Sequence, residues 1–180
     1  MGIRFVRILA LSLSTLIASA VAATPAHAGE IFGGLYVHDV DTPVSLGGVE
    51  NGADVQLGWR GARIGKTPLQ PYAFAAVNTA GKTNYAALGL SAKFGDAIFI
   101  RPGVGILVHT GSAENFQDSS DNETEFGSRI LFEPELGIGA RINSRMTIEA
   151  SWVHMSHGQL FGEQNPGMDN LGVRLSVQLP

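Results

Sequence analysis

The sequence predicts an all-β protein: an eight-stranded antiparallel transmembrane β-barrel that follows a cleaved signal peptide. Three observations support this fold class. The first residues have the composition of a secretory leader. The remainder contains eight runs in which apolar and polar residues alternate, as they do in strands. Some connections between the runs are tight and others are long, which is typical of a small membrane barrel.

Residues 1–28 are predicted to be a secretory signal peptide, and residues 29–180 to form one outer-membrane barrel domain. Two arginines precede an apolar run, and alanines at alternate positions, which suit a signal peptidase, follow it. These features are Arg4 and Arg7, the run 8–22, and Ala26 and Ala28. An uncleaved anchor helix is the alternative, but the run is shorter than the roughly 20 apolar residues that span a bilayer.

The composition excludes several classes of function. The whole chain has 16 acidic and 12 basic residues, and removal of Arg4 and Arg7 with the leader leaves ten basic residues and a net charge of −6. Nucleic acid is therefore not an expected partner, because phosphate binding needs a basic face. The absence of cysteine excludes a disulfide framework and a thiolate metal site. Any contact with a membrane beyond the leader must be made by strands.

The eight predicted strands are separated by turn residues and are even in number, as in single-chain barrels. Their predicted ranges are 30–40, 52–62, 70–79, 83–94, 97–109, 128–142, 146–157 and 168–179. The connections after the fourth and sixth strands are tight, and those after the first, fifth and seventh are long or polar. Side chains fill the interior of an eight-stranded barrel, so no wide pore is expected.

The run 128–142 indicates which side of the strands faces lipid. Its alternate residues from Ile130 to Ile142 are mostly apolar, whereas the other side carries acids and arginines. A soluble β-sandwich or lipocalin-like barrel would solvate the charged side, but a membrane barrel pairs those charges inside. Strand length and the leader favour the membrane barrel. Charges expected inside are Glu133, Glu135, Arg141, Glu149 and Arg174, and glycines expected there are Gly103, Gly105, Gly137, Gly139 and Gly172.

A group of polar residues interrupts the apolar rows near the C-terminus. Because Glu149 belongs with the inner charges, the alternate residues Trp152, His154 and Ser156 should face lipid. Asp169 heads the lipid-facing row of the last strand. A serine with an imidazole base, oriented by a carboxylate, is the arrangement of a hydrolase triad. An outward-facing triad predicts a lipid substrate. The alternative is an inert, interfacial histidine next to Trp152.

This stretch resembles the lipid A 3-O-deacylases of the outer membrane, the PagL type of acyloxyacyl hydrolase. The resemblance rests on His-Met-Ser-His-Gly, Asn-Pro-Gly-Met-Asp and the final amphipathic strand, and it covers roughly residues 150–179. The family is an eight-stranded barrel with an outward-facing triad. The resemblance implies that Ser156 is the nucleophile, His154 the base and Asp169 the orienting acid. It further implies hydrolysis of the ester-linked acyl chain at the 3 position of lipid A, without a cofactor, toward the outer leaflet of the outer membrane.

The chain departs from the family pattern at the site and at its end. His157 follows the serine where the family commonly has an Asn of the oxyanion hole, so backbone N–H groups of His157 and Gly158 are the expected donors. Asp169 stands where the best-known members have Glu. Glu163, in the preceding loop, is the alternative acid, but strand pairing should position Asp169 more rigidly. The chain also ends in Gln-Leu-Pro instead of an aromatic residue.

The remaining polar residues are given structural roles. His38 and His109 have no acid or histidine at a convincing ligand spacing, so no metal site is expected. The acidic loop 111–126 lacks the spacing of the twelve-residue calcium loop and is interpreted as solvated and mobile. Two alternatives to an esterase stay open, a structural or adhesive barrel and a soluble periplasmic barrel that carries a lipid. The sequence predicts no oligomeric state.

Overall fold

Eight antiparallel strands close into a barrel in the computed structural model, which describes residues 29–45, 47–115, 122–160 and 165–180. The strands are β1 (Glu30–Val37), β2 (Ala53–Arg60), β3 (Leu69–Asn78), β4 (Tyr85–Ala92), β6 (Ile98–His109), β7 (Ile130–Arg141), β8 (Met146–Met155) and β9 (Met168–Gln178), together with a two-residue strand β5 (Phe94–Gly95). Strands adjacent in the chain pair with each other except β4 and β5, β1 pairs with β9, and the pairing of β4 with β6 completes the ring. The predicted signal peptide lies outside the described residues.

The predicted all-β barrel is confirmed, and the strand ends differ by a few residues. The largest difference is in β1, which was expected to reach residue 40 and ends at Val37. His38 is buried, and Asp39 has a φ of 52°, in the left-handed region that a strand cannot contain. β8 likewise ends at Met155, and Ser156 makes only an isolated bridge.

The outer face of the barrel is apolar. Leu57 is 66% exposed and Ile98 is 76% exposed, and many other aliphatic side chains on outward-facing strand positions are also exposed. Water-soluble proteins rarely expose a continuous apolar surface of this kind, so the outer face is suited to lipid. In the described ranges, no helix is long and apolar enough to cross a membrane.

The barrel interior is filled by buried charges that pair across strands. Arg174 donates from Nη2 to Oε2 of Glu135 at 2.8 Å, and Nε of Arg101 lies 3.2 Å from Oε1 of Glu149. Glu133 accepts the hydroxyl of Tyr72. Breaking one such buried pair leaves a charge without its partner, so these contacts tie the strands to one register.

Glycines on the inner face make room for these side chains. A Cβ on Gly137 would lie 2.5 Å from Oε2 of Glu149, and the other inward glycines that the sequence indicated are similarly crowded. One prediction about the lumen is wrong. Arg141 is exposed and pairs with Asp96 at 2.8 Å, because it is the last residue of β7 and lies at the barrel rim.

Candidate active site

Strands β8 and β9 bring three of the candidate residues together on the outside of the barrel. Their register places His154 directly opposite Asp169. Ser156 comes just after β8 and bridges to Phe132 of β7. Leu171, two residues beyond Asp169, is 41% exposed, so this row of β9 faces away from the lumen.

The three side chains are joined by hydrogen bonds. His154 Nδ1 lies 2.7 Å from Oδ1 of Asp169, and its Nε2 lies 3.0 Å from Oγ of Ser156. A carboxylate only accepts hydrogen bonds, so Nδ1 carries a proton, and when the ring is neutral Nε2 accepts the serine hydroxyl. This tautomer is the one that lets an imidazole take a proton from a serine.

The carboxylate of Asp169 is fully buried although its row faces outward. Its Oδ1 also accepts the indole N–H of Trp152 at 2.9 Å, and its Oδ2 accepts the hydroxyl of Thr42. Trp152 stacks against His154, with the two ring centroids 5.8 Å apart. Three donors therefore satisfy a charged group that burial alone would destabilise.

The connection between β1 and β2 covers this acid. The backbone N–H of Val40 donates to the backbone carbonyl of Asp169 at 2.7 Å, and the hydroxyl of Ser45 donates to the carbonyl of Pro166 at 3.2 Å. With the contact from Thr42, this connection ties itself to the segment that enters β9. The acid is thus shielded from solvent by a part of the chain distant in sequence.

Gly167 allows the chain to pass close to the imidazole. Its φ is +59°, which favours glycine, and a Cβ at this position would lie 3.1 Å from Cε1 of His154. The turn between Asn165 and Asp169 therefore needs a glycine at this point both for its backbone conformation and for its approach to the site.

The two candidate oxyanion donors, the backbone N–H groups of His157 and Gly158, have different surroundings. The backbone N–H of His157 is already hydrogen-bonded to Oδ1 of Asn165 at 3.0 Å. Gly158 is exposed and has a φ of +60° at the bend that follows the serine. Glu163, the alternative acid, lies outside the described residues.

Inside the barrel, at the end that carries the site, His38 contacts two acids that sequence spacing did not connect with it. Its Nε2 donates to Oε2 of Glu50 at 3.0 Å and its Nδ1 donates to Oδ2 of Asp54 at 3.0 Å. The backbone N–H groups of Thr83 and Thr124 also donate to Glu50, at 2.9 and 3.0 Å. This inner cluster (His38, Glu50 and Asp54) joins both ends of the β1–β2 connection.

The inner cluster carries a charged histidine. Burial lowers the pKa of His38, but hydrogen bonds to Asp54 and Glu50 outweigh it and raise the pKa to about 9 from the usual 6.5. Burial raises the pKa of Glu50, but hydrogen bonds from His38, Thr124 and Thr83 outweigh it and lower the pKa to about 2 from 4.5. The imidazolium and the carboxylate thus stabilise each other across the physiological range.

We expect barrel stability to be greatest between about pH 4.5 and 6.5. The raised pKa of His38 stabilises the fold fully below pH 6.5, and this contribution, roughly 3 kcal/mol at most, is lost as the pH rises through 9. The lowered pKa of Glu50 has the opposite sign, so its contribution is lost as the pH falls from 4.5 toward 2. The temperature at which the barrel loses its folded gel mobility, measured against pH, tests this.

A His38→Gln variant provides the control for this profile. It should be less stable at pH 6, because Glu50 and Asp54 lose their cationic partner, but its melting temperature should not decline between pH 6.5 and 9. A decline equal to that of the unmodified protein would assign the alkaline effect to another group.

His109 and the described part of the acidic loop 111–126 make contacts of their own. Nε2 of His109 donates to the carbonyl of Ser128 at 2.7 Å, and its ring packs on Phe126. Part of loop 111–126 lies outside the described residues, but Thr124, Glu125 and Phe126 are buried, so this part is not solvated as expected. In the portion of the chain that the structure describes, no group of three or more His, Asp or Glu could hold a metal ion.

Sequence reasoning missed two donors to Asp169. Trp152 was assigned to the same lipid-facing row as His154. Because His154 lies opposite Asp169, that shared face could have predicted a contact between Trp152 and the acid. Thr42 gave no such signal, because it lies in a connection 127 positions from Asp169.

Comparisons with known proteins show the family and the fold of the chain. A family model described as lipid A 3-O-deacylase (PagL) matches residues 47–178. A crystal structure of the outer membrane enzyme PagL superimposes with a TM-score of 0.58 at 18% identity, over 82% of this chain and 98% of that chain. No sequence among the curated proteins matches.

Two other solved barrels are similar in fold. A de novo designed transmembrane β-barrel has a TM-score of 0.54 at 12% identity, over 87% of this chain and 98% of that chain. Neisserial surface protein A has a TM-score of 0.50 at 12% identity, over 83% of this chain and 96% of that chain. Both agree with a small transmembrane barrel.

Proposed function

The chain belongs to the lipid A 3-O-deacylase family of outer-membrane ester hydrolases, and on that premise we propose that it releases the 3-linked acyl chain of lipid A by a Ser-His-Asp mechanism. The observation that carries the proposal is the unbroken hydrogen-bonded row from Ser156 through His154 to Asp169. Ser156 is assigned as nucleophile, His154 as general base and Asp169 as the acid that orients the base.

The first half of the reaction forms an acyl-enzyme. Oγ of Ser156 attacks the ester carbonyl carbon while Nε2 of His154 takes the hydroxyl proton. Asp169 stabilises the imidazolium that results. The tetrahedral intermediate collapses when the bond to the sugar oxygen breaks, and His154 returns its proton to that oxygen, which leaves as a hydroxyl group.

The second half releases the fatty acid. His154 takes a proton from a water molecule, and the hydroxyl attacks the acyl-enzyme carbonyl. Collapse of the second intermediate breaks the bond to Oγ, and Ser156 recovers its proton. In both halves the oxyanion needs donors near the bend after β8, and the N–H of Gly158 is the candidate, since that of His157 is bonded to Asn165.

The position of the site suits a substrate that is itself a membrane lipid. Ser156 bridges to Phe132, which is 39% exposed, and Trp152 lies two residues before His154 on the same outward row. Apolar side chains therefore border the nucleophile where the lipid-facing rows of the strands end. An acyl chain can reach Ser156 from the bilayer without entering water, which lowers the free-energy cost of binding.

Mass spectrometry of lipid A tests the proposed function. Outer membranes from cells that express the protein should contain lipid A lighter by one 3-linked acyl chain, with the released fatty acid recovered in the lipid extract. Cells that carry an empty vector provide the reference. Unchanged lipid A in membranes that contain the folded barrel would contradict the proposal, whereas loss of a chain from another position would retain the esterase and change its regiospecificity.

A further inference from the structure

The connection between β1 and β2 delivers one hydroxyl group to the acid of the site. We propose that Thr42 is a positioning residue of the reaction, which fixes the carboxylate of Asp169 for its contact with His154. This inference rests on the proposed function, because it assigns Thr42 a role in the same triad. Thr42 is outside the two strands that supply the triad, so this role depends on a distant segment.

The direction of the hydrogen bond is set by a second contact. The backbone N–H of Val44 donates to Oγ1 of Thr42 at 3.2 Å. A hydroxyl that accepts this bond has its own proton free to donate, and Oδ2 of Asp169 is the acceptor that it meets. Thr42 therefore acts as a donor to the acid, in an orientation that its own loop imposes.

The two oxygens of Asp169 have different partners. Oδ1 accepts from His154 at 2.7 Å and from Trp152 at 2.9 Å. Thr42 supplies the bond to Oδ2, so the three donors together restrict rotation of the carboxylate. Asp169 has a short side chain, and a small rotation would move Oδ1 away from the imidazole.

The loop that carries Thr42 is fixed by its own hydrogen bonds. The backbone N–H of Thr42 donates to the carbonyl of Ser45 at 3.0 Å. Asp39 accepts from the backbone N–H groups of Val49 and Glu50 at 2.8 and 2.7 Å, and its own N–H donates to Oδ1 of Asn170 at 2.9 Å. Because these bonds already order the loop, the hydroxyl of Thr42 is held in place without a further loss of conformational entropy.

The bond from Thr42 also affects how the triad holds its proton. A donor to Oδ2 draws negative charge away from Oδ1, which weakens the hold of Asp169 on an imidazolium. Without that donor, Oδ1 would carry more negative charge and bind the imidazolium of the reaction more strongly, so the acid limb of the rate profile should move to higher pH. A residue with a merely structural role in the loop would not produce this change.

The titratable groups at this point of the molecule are few. His154 from β8 and Asp169 from β9 face each other, and the other side chains hydrogen-bonded to them in the described ranges, Thr42, Trp152 and Ser156, carry no charge. Asp41, next to Thr42 in the loop, is exposed to solvent. A shift of the pH profile on changing Thr42 would therefore report on the pair formed by His154 and Asp169.

Steady-state kinetics against pH, with purified barrels in detergent and a lipid A substrate, test this inference. Thr42→Val keeps the shape of the side chain and removes the hydroxyl, and it should lower kcat by about 10- to 100-fold with little change in KM. Its acid limb in the profile of kcat/KM should move to higher pH by up to about one unit. Thr42→Ser, which keeps the hydroxyl, should restore both kcat and the position of the acid limb.

Two controls separate this role from general damage to the loop. Thr79→Val removes a hydroxyl that accepts a backbone N–H at the same end of the barrel, and it should leave kcat and the pH profile unchanged. Ser45→Ala loosens the loop without touching the carboxylate, and it should leave the acid limb in place. Folded gel mobility before heating confirms that each variant has formed the barrel.

Two results would overturn the inference. One is a Thr42→Val enzyme with unchanged kcat and an unmoved acid limb, and the other is a Thr42→Ser enzyme as impaired as Thr42→Val. If either occurs while the unmodified protein is active and Ser156→Ala is inactive, the proposed function stands and only the role of Thr42 is rejected. If Ser156→Ala stays active, the triad itself is rejected.

Discussion

We expect substitution of Ser156 by Ala to abolish fatty-acid release and to leave the barrel folded. The proposed reaction forms its first covalent bond through Oγ of Ser156, so no other atom of the side chain can replace it. Removal of a nucleophile in a triad of this kind lowers kcat by about 10⁶-fold. Ser156 comes after the last residue of β8 and is 9% exposed, so the loss of one hydroxyl should leave the strand pairing intact. The measurement is release of fatty acid from lipid A by the purified protein.

Ser151→Ala is the matched control for this variant. Ser151 lies in β8, five residues before Ser156, but faces the lumen, where it accepts a hydrogen bond from the hydroxyl of Tyr36 at 3.0 Å. The Ser151→Ala variant should keep its activity and lose some stability. An active Ser156→Ala enzyme, or an inactive Ser151→Ala enzyme with normal folded mobility, would contradict the assignment of the nucleophile.

Substitution of Asp169 by Asn is the second change with a large expected effect, a fall in kcat of about 10⁴-fold. The amide is neutral and cannot stabilise an imidazolium. Its NH₂ group would also face one of the donors that now meet the carboxylate, which are His154, Trp152 and Thr42. Because donors cannot pair with donors, the side chain or the histidine tautomer must change. Hydrolysis of lipid A over a range of pH measures this effect.

Glu163→Gln distinguishes the two candidate acids. Glu163 is in the same connection as Asn165, and its change should lower kcat by less than about tenfold, as expected for a solvated charge. If Glu163→Gln is the more damaging of the two substitutions, the orienting acid is Glu163, and Asp169 has only a structural role.

Strand parity, together with strand length and the leader, predicted the fold, and parity predicted the side to which the candidate site faces. Glu149 marked the lumen side of β8, and its complete burial against Arg101 agrees with that assignment. The same reasoning placed His154 and Asp169 on matching outward rows, where the register brings them opposite each other. Period-two alternation succeeds in this region because a slip of one residue would turn every charge toward lipid.

Contacts made by the loops could not be predicted from strand parity. Thr42 reaches Asp169 through a turn whose conformation depends on Asp39 in the left-handed region and on hydrogen bonds to β9. No periodic pattern encodes such a contact, because loop geometry is set by tertiary partners. His38 was overlooked for the same reason, and Arg141 was placed wrongly because parity does not show where a strand leaves the barrel wall.

The outward direction of the triad has a kinetic consequence. An enzyme whose nucleophile opens sideways into a leaflet meets its substrate by two-dimensional diffusion, so its rate depends on the mole fraction of lipid A among its neighbours. Addition of inert lipid or detergent slows such an enzyme by surface dilution, even when the amount of substrate per millilitre is constant. The proposed enzyme should therefore have a turnover that depends on the composition and fluidity of the leaflet.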